Sequence, residues 1–282
     1  MGRRIAVVTD STAYLPDGFA ERLGVRVVPL FVVLDGEAGE EGTRITPAEV
    51  ARALARHRTV TTSRPTPAHF RAVYGQVLDS GATGIVSVHL SRELSGTWDS
   101  ARRAAEEVAH GSIRVVDSRS AAMGLGFSVL AAARAGAGGA DLDQVAVAAM
   151  RTAARTSTIF YVNTLEHLRR GGRIGAAQAL LGTALSVKPI LYVRDGRIVP
   201  LEKVRTASRG LARLEALAAR LAGSMPVDVA VQHLAAPDRA TLLADRLRGR
   251  LPGLGELLCS EIGAVVGAHV GPGVVGVVVV RR

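Results

Sequence analysis

Two short stretches of this chain echo one another: Val-Thr-Asp-Ser at 8–11 and Val-Val-Asp-Ser at 115–118. Each is a β-branched apolar run that stops in an acid followed by a hydroxyl. A third run, with Ile85, Val86 and Val88, stops in Ser91, Ser95, Gly96 and Thr97 and resumes as a helix from about Trp98. Strands alternating with helices imply a parallel sheet, because a parallel pair must be joined by a long crossover. Such sheets bind ligands outside the carboxyl ends of their strands, so the three hydroxyl-bearing turns are expected to share one crevice. The third turn offers most to an anion: free N–H groups at a helix N-terminus, hydroxyls, and a glycine that lets a ligand approach the backbone. Taken alone it also fits an ordinary N-cap made by Ser95 or Thr97.

Other signals fill in the elements. Thr46-Pro47-Ala48-Glu49 reads as a helix start, with Thr as cap, Pro at the first position and Glu in the first turn. Residues 36–42 read as an acidic, glycine-rich loop. Pro65 and Pro67 end a short extended piece, and Pro67 opens a helix carrying Phe70, Val73, Tyr74 and Leu78 on one face. Helices are expected over 121–140 and 142–156, and a change of composition near 157 marks a domain boundary. Beyond it come a helix at 165–170, a Gly171-Gly172 turn, a helix at 176–185, and a hairpin turning on Asp195-Gly196. Helices at 211–221 and 237–250 flank a strand at 227–233, and a last pair of strands flanks Gly271-Pro272-Gly273.

The net charge of +10 is unevenly spread: twelve basic residues against three acids lie between Arg151 and Arg213, nearly the whole excess. A concentrated excess suggests a face for an acidic or phosphate-bearing partner. Nucleic acid is disfavoured, since the segment has no reading motif and aromatics are 4% of the chain. The single cysteine, Cys259, excludes a disulfide framework or cysteine-rich zinc site and fits a reducing cytoplasm. The apolar runs at 121–133 and 270–280 fall short of the ~20 residues that a membrane span needs, and the run at 5–8 is too short for an export signal.

Thr62-Ser63 puts two adjacent hydroxyls before a forced turn, which suits a carboxylate and equally suits plain turn chemistry. His269, ahead of Gly271, reads as a core or turn histidine between apolar strands; Lys203 and Arg205 read as the solvated edge of a strand. The chain has no G-x-S-x-G elbow, no phosphate loop and no metal-ligand spacing among its histidines. Hydroxyl-rich turns without a base or a nucleophile arrangement point to binding rather than turnover, with no metal and no cofactor.

In order along the chain, VTDSTAYLP (8–16), TTSRPTP (61–67), SRELSGTWDSA (91–101), VVDSRSAAMGLG (115–126), YVNTLEHLRRGGRI (161–174), LSVKPIL (185–191) and IGAVVGAHVGPG (262–273) resemble the DegV family of fatty-acid-binding proteins, the FakB-type subunit of bacterial fatty acid kinase. The resemblance implies two α/β domains, expected at 1–157 and 158–282. The first has a mainly parallel sheet with flanking helices, the second a mixed sheet, with a lipid tunnel between them. It implies a carrier, not an enzyme, that holds one long-chain fatty acid and presents its carboxylate to a separate ATP-binding kinase subunit, which makes the acyl phosphate for phospholipid synthesis. By position, Thr62, Ser63, Ser95, Gly96, Thr97 and His269 match the carboxylate site; Arg170, Arg173, Lys203 and Arg205 match positions tied to kinase docking. Arg64 stands where the family often has Gln, and Trp98 where it often has Tyr. A cytoplasmic location with transient contact to a membrane surface follows from that role. The rival readings are an enzyme acting on a small carboxylic acid and a basic regulator that binds nucleic acid, the second marked by affinity that falls steeply with salt.

Overall fold

The computed structural model describes residues 4–109, 111–180 and 188–282. In chain order the elements are β1 (Ile5–Asp10), α1 (Phe19–Arg22), β2 (Arg26–Val28), β3 (Phe31–Leu34), β4 (Glu37–Glu40), α2 (Pro47–Ala55), β5 (Val60–Ser63), α3 (Pro67–Asp79), β6 (Gly84–His89), α4 (Thr97–Val108) and β7 (Ile113–Asp117). They continue with α5 (Met123–Ala137), α6 (Leu142–Ala154), β8 (Thr156–Tyr161), α7 (Glu166–Arg170), β9 (Lys188–Arg194), β10 (Arg197–Val204), α8 (Ala207–Ala222), β11 (Val227–His233), α9 (Pro237–Arg250), β12 (Leu254–Glu261), α10 (Ala264–Val270) and β13 (Val275–Arg281). Short 3-10 turns follow β1 at Ser11–Ala13 and precede β9 at Gly175–Leu180.

Two compact units result. The first comprises Met1–Phe31 and Ser63–Ala154; the second comprises Val32–Thr62 and Arg155–Arg282. The chain thus changes unit three times, and a boundary near 157 sees only the last crossing. The early segment belongs with the second unit for a physical reason. Glu41, buried in the loop after β4, accepts the backbone N–H of Val265 at 2.7 Å, and α2 packs on α10. Composition gives no sign of that long-range contact.

The first unit is built on a four-stranded, all-parallel sheet in the order β2-β1-β6-β7. Alternate residues of β1 feed two cores. Val7 packs with Val86, Val88, Leu125, Val129 and Val145 on one face; Val8 packs with Ile85, Phe70, Tyr74 and Ala101 on the other. A parallel sheet covered on both faces needs strands apolar throughout, and all six residues of β6 are buried. Thr46 and Glu49 form the expected capping box of α2, with the Glu49 carboxylate 2.8 Å from the Thr46 N–H.

The second unit carries a mixed six-stranded sheet in the order β10-β9-β8-β13-β11-β12. Leu211, Leu214 and Leu217 of α8 and Leu243 and Leu247 of α9 cover Ile159, Val229, Val231, Val277 and Val279. Asp195 and Gly196 turn the β9–β10 hairpin with φ of 52° and 79°, the paired left-handed conformation that an Asp-Gly hairpin uses. A three-stranded sheet, β4-β3-β5, is built from the early segment.

Three expectations are corrected. Residues 36–42 contain β4 rather than a loop: Gly39 leaves room for Ile45, whose Cγ1 would lie 3.0 Å from an added Cβ. The segment before Gly271 is helix α10, not a strand. The Glu41 carboxylate accepts the Val265 N–H in the first turn of this helix, a tertiary contact that favours the helix against the strand preference of its β-branched residues. The helix expected over 176–185 begins as the 3-10 turn Gly175–Leu180, and the rest of it lies outside the described residues.

Candidate functional site

In the first unit the carboxyl ends of β1, β6 and β7 meet in the three hydroxyl turns, and the turns are bonded to one another. Asp10 Oδ2 accepts the N–H of Leu90 at 3.0 Å, the N–H of Ser118 donates to the carbonyl of His89 at 3.0 Å, and that of Ser91 to the carbonyl of Ser120 at 2.8 Å. Ser11 and Ser118 spend their side chains holding neighbouring backbone: Ser11 Oγ accepts from Leu30 N–H, and Ser118 Oγ donates to the Ser120 carbonyl. The expected shared crevice therefore narrows to one turn with donors to spare. Ser95 Oγ and Thr97 Oγ1 lie 2.9 Å apart, and Ser95 Oγ also accepts the Thr97 N–H at 3.3 Å. Two hydroxyl protons serve one bond within this pair, so one is left for a ligand. Gly96 stands between them as the cap residue of α4. Ser63, the last residue of β5, is exposed.

A buried chain of polar groups lies beneath the same turn. His89 Nδ1 is 3.0 Å from Asp10 Oδ2, His89 Nε2 is 2.7 Å from Ser87 Oγ, and the Tyr74 hydroxyl donates to Ser87 Oγ at 2.8 Å. Because the Tyr74 hydroxyl donates to Ser87, the donor inventory runs one way: Tyr74 O–H to Ser87, Ser87 O–H to Nε2, and Nδ1–H to Asp10. The connectivity is that of a Ser-His-Asp triad, contrary to the expectation that no nucleophile arrangement exists. Yet Asp10, Ser87 and His89 are all fully buried, so no substrate can reach the serine. The chain fixes the turns instead. Its signal in the sequence is the alternation VSVH, which puts Ser87 and His89 on one face of an otherwise apolar strand.

In the second unit the structure brings Thr62 and His269 together, although 207 positions separate them: Thr62 Oγ1 lies 2.8 Å from His269 Nε2. Burial, with a smaller push from the Arg173 guanidinium, lowers the His269 pKa to about 4, so the ring is neutral at pH 7. Its Nδ1 atom is buried without a hydrogen-bond partner among the described residues. A neutral imidazole can either donate to or accept from a ligand, depending on which nitrogen holds the proton. Around it α7 and α10 interlock through glycine. A Cβ on Gly171 would meet His269 Nδ1 at 2.0 Å, and one on Gly271 would meet His167 Cδ2 at 2.1 Å. Burial, followed by Arg170, also lowers the His167 pKa.

The expected docking residues occupy two places. Arg169 and Arg170 both grip Glu166, each at 2.7 Å, and these hydrogen bonds hold its carboxyl down at a pKa of about 2. Arg173 donates to the Gly171 carbonyl at 2.6 Å. Lys203 and Arg205 lie at the exposed end of β10, which packs on the 3-10 turn that follows Arg173. Part of the positive segment is thus spent locally; Arg213, for instance, pairs with Glu202. Among the described residues no cluster of metal-ligating side chains occurs, and no helix is long and apolar enough to cross a membrane.

The chain as a whole is similar to known proteins. A family model described as "Uncharacterised protein, DegV family" matches residues 4–282. A DegV domain-containing protein of Streptomyces coelicolor is 59% identical over the full length of both chains. The fold is similar to that of a fatty-acid-binding DegV family protein from Thermus thermophilus, at 36% identity and a TM-score of 0.93, covering 99% of this chain and 100% of that one. It is likewise similar to DegV, a fatty-acid-binding protein from Bacillus subtilis, at 32% identity and a TM-score of 0.89 over the whole of both. With a family match along nearly its whole length and a relative of this similarity, the chain belongs to the DegV family.

Proposed function

We propose that this protein binds a single long-chain fatty acid and presents its carboxylate to a kinase partner that phosphorylates it from ATP. The observation that carries the fatty-acid reading is the end-to-end likeness to the Thermus protein that binds fatty acid. The donors support it. The Ser95–Thr97 turn keeps a hydroxyl proton for a ligand, and the Thr62–His269 pair keeps a neutral imidazole next to a hydroxyl. In this reading Thr62, Ser63, Ser95, Gly96, Thr97 and His269 serve the head group.

The energetics suit a lipid. Burying a methylene contributes ~0.8 kcal/mol, so a sixteen-carbon chain offers on the order of 12 kcal/mol before ordering costs. The head-group donors then need only offset desolvation of the carboxylate. The kinase step is the finer part of the proposal, and Arg170, Arg173, Lys203 and Arg205 are its docking residues. An exposed basic surface suits a partner that carries nucleotide phosphates or acidic side chains. In this reading the protein is a cytoplasmic carrier without a cofactor of its own.

Native mass spectrometry of the freshly purified protein tests the carrier reading. The expected result is a one-to-one adduct whose released mass is that of a long-chain fatty acid. An empty protein that refuses added fatty acid would return the function to a small-acid enzyme or a nucleic-acid regulator. Acyl-phosphate formation with a DegV-partner kinase and ATP, lost on Arg205→Ala and Lys203→Ala while fatty acid still binds, tests the docking assignment.

A further inference from the structure

Gly96 is not required by its backbone. Its φ of −75° and ψ of 13° are open to any residue. What fills the space a side chain there would take is the exposed end of Arg64. A Cβ at position 96 would stand 2.6 Å from Arg64 Nη1, 2.9 Å from Cζ and 3.0 Å from Cδ. The guanidinium therefore lies directly against the Cα of Gly96, and the residues on either side of that Cα are Ser95 and Thr97. The group that approaches this glycine is a cation of the chain itself.

Two further facts give that cation a purpose. Arg64 makes no hydrogen bond or ion pair with any described residue, whereas Arg71, Arg102 and Arg92 of the same unit pair with Glu107, Glu106 and Asp117. The base of its side chain is also constrained, because Pro65 and Pro67 restrict the backbone around it and Pro65 is buried. A guanidinium with all five N–H groups unspent, beside a hydroxyl pair with one proton to give, is half of a carboxylate clamp.

Resting on the fatty-acid reading above, we propose that Arg64 is a specificity-determining residue: it makes the Ser95–Thr97 turn select an ionised head group over a neutral one on the same alkyl chain. Chain burial is common to an acid and its alcohol, so the ratio of their affinities isolates the head group. Arg64 is exposed, so its contribution is screened by salt.

The test titrates the full-length protein with palmitate and with 1-hexadecanol. It follows the fluorescence of Trp98, the chain's only tryptophan and the neighbour of Thr97. In the wild type palmitate should bind more tightly, and the preference should shrink as salt is raised. Arg64→Gln should lower the palmitate-to-hexadecanol preference about tenfold or more, the loss of one charge-assisted contact, with Arg64→Lys retaining part of it. Gly96→Ala keeps the charge but displaces the guanidinium, and should lower the preference in the same direction. An Arg64→Gln protein that folds like the wild type by circular dichroism and keeps the full preference overturns the proposal. If the wild type binds neither ligand, the fatty-acid reading fails and takes this proposal with it; if it binds both and the ratio does not move, only Arg64 is misassigned.

Discussion

The Nδ1 atom of His269 rests against the Cα of Gly171, so closely that a methyl group there would stand 2.0 Å from it. Gly171 has helical φ and ψ of −75° and −6°, so alanine would suit its backbone and fail only on the histidine. Gly171→Ala should therefore cost ~1–3 kcal/mol of stability through overpacking. It should also weaken fatty-acid binding by pushing His269 away from Thr62. In the His269→Ala background the same substitution should cost much less, a coupling that a double-mutant cycle by denaturant unfolding would read directly. Equal costs in both backgrounds would mean that the contact is not what the glycine is for.

The lowered pKa of His269 makes a signed prediction. Between pH 4 and 6.5 the unfolded chain takes up a proton at this ring and the folded chain does not, so stability rises with pH across that window and levels off above it. A shift from 6.5 to about 4 corresponds to at most about 3 kcal/mol lost on acidification. His167 and His233, whose pKa values burial also lowers, add to the wild-type slope. The diagnostic is consequently the difference between the wild type and His269→Gln in urea midpoints from pH 4 to 7. The variant should show a visibly shallower slope, and an unchanged slope would place the ring in a more solvated setting.

Much of the fold is legible where the cause is local. Thr46-Pro47-Ala48-Glu49 caps α2 through neighbouring residues, Asp195-Gly196 turns its own hairpin, and β11 and α9 keep the bounds that their periodicity gives. What escapes a sequence reading is set by contacts across many positions. Val265 and Val266 favour a strand by propensity, yet they lie in a helix whose first turn donates the Val265 N–H to Glu41, more than two hundred residues earlier. The site divides the same way. The hydroxyl pair of Ser95 and Thr97 is visible in the chain. The approach of Arg64 to Gly96 is not, because it joins positions more than thirty residues apart. His89 hides because a histidine within an apolar strand shows nothing of its partner Asp10 on the neighbouring strand.

Glu41 is expected to act on the site at a distance. Its carboxylate satisfies an N–H in the first turn of α10, and His269 lies in the last turn of that helix. Glu41→Ala leaves the N–H without its acceptor and removes a favourable charge at the helix start, a loss of ~1–2 kcal/mol. Glu41→Gln keeps an acceptor and should cost about half as much. Fatty-acid affinity should follow the same order, since α10 sets the position of His269. Thermal melts with and without palmitate would separate the two effects, and an Ala variant with unchanged affinity would show that α10 is held without this contact.

The buried line from Tyr74 through Ser87 and His89 to Asp10 should respond in a graded way that a packing cluster would not. Removing the charged end is worst. Asp10→Ala strips acceptors from Thr12, His89 and Leu90 at once and, at ~1–3 kcal/mol for each buried donor left without a partner, should cost several times what a single lost hydrogen bond does. His89→Ala leaves the carboxylate buried with fewer donors and belongs in the same range. Tyr74→Phe deletes only the outermost donor, leaving Ser87 bonded to His89, and should cost ~1 kcal/mol. Burial pushes the Tyr74 pKa upward, so the phenol remains a donor throughout the stable pH range. Because Asp10 and His89 also tie the strand ends to the turn that leads into Ser95, their loss should weaken palmitate binding even where the variant stays folded. Tyr74→Phe should leave that binding intact. Chemical denaturation and palmitate titration on the three variants would check the gradient, and a Tyr74→Phe variant as damaged as Asp10→Ala would show that aromatic packing, not the polar line, holds these turns in place.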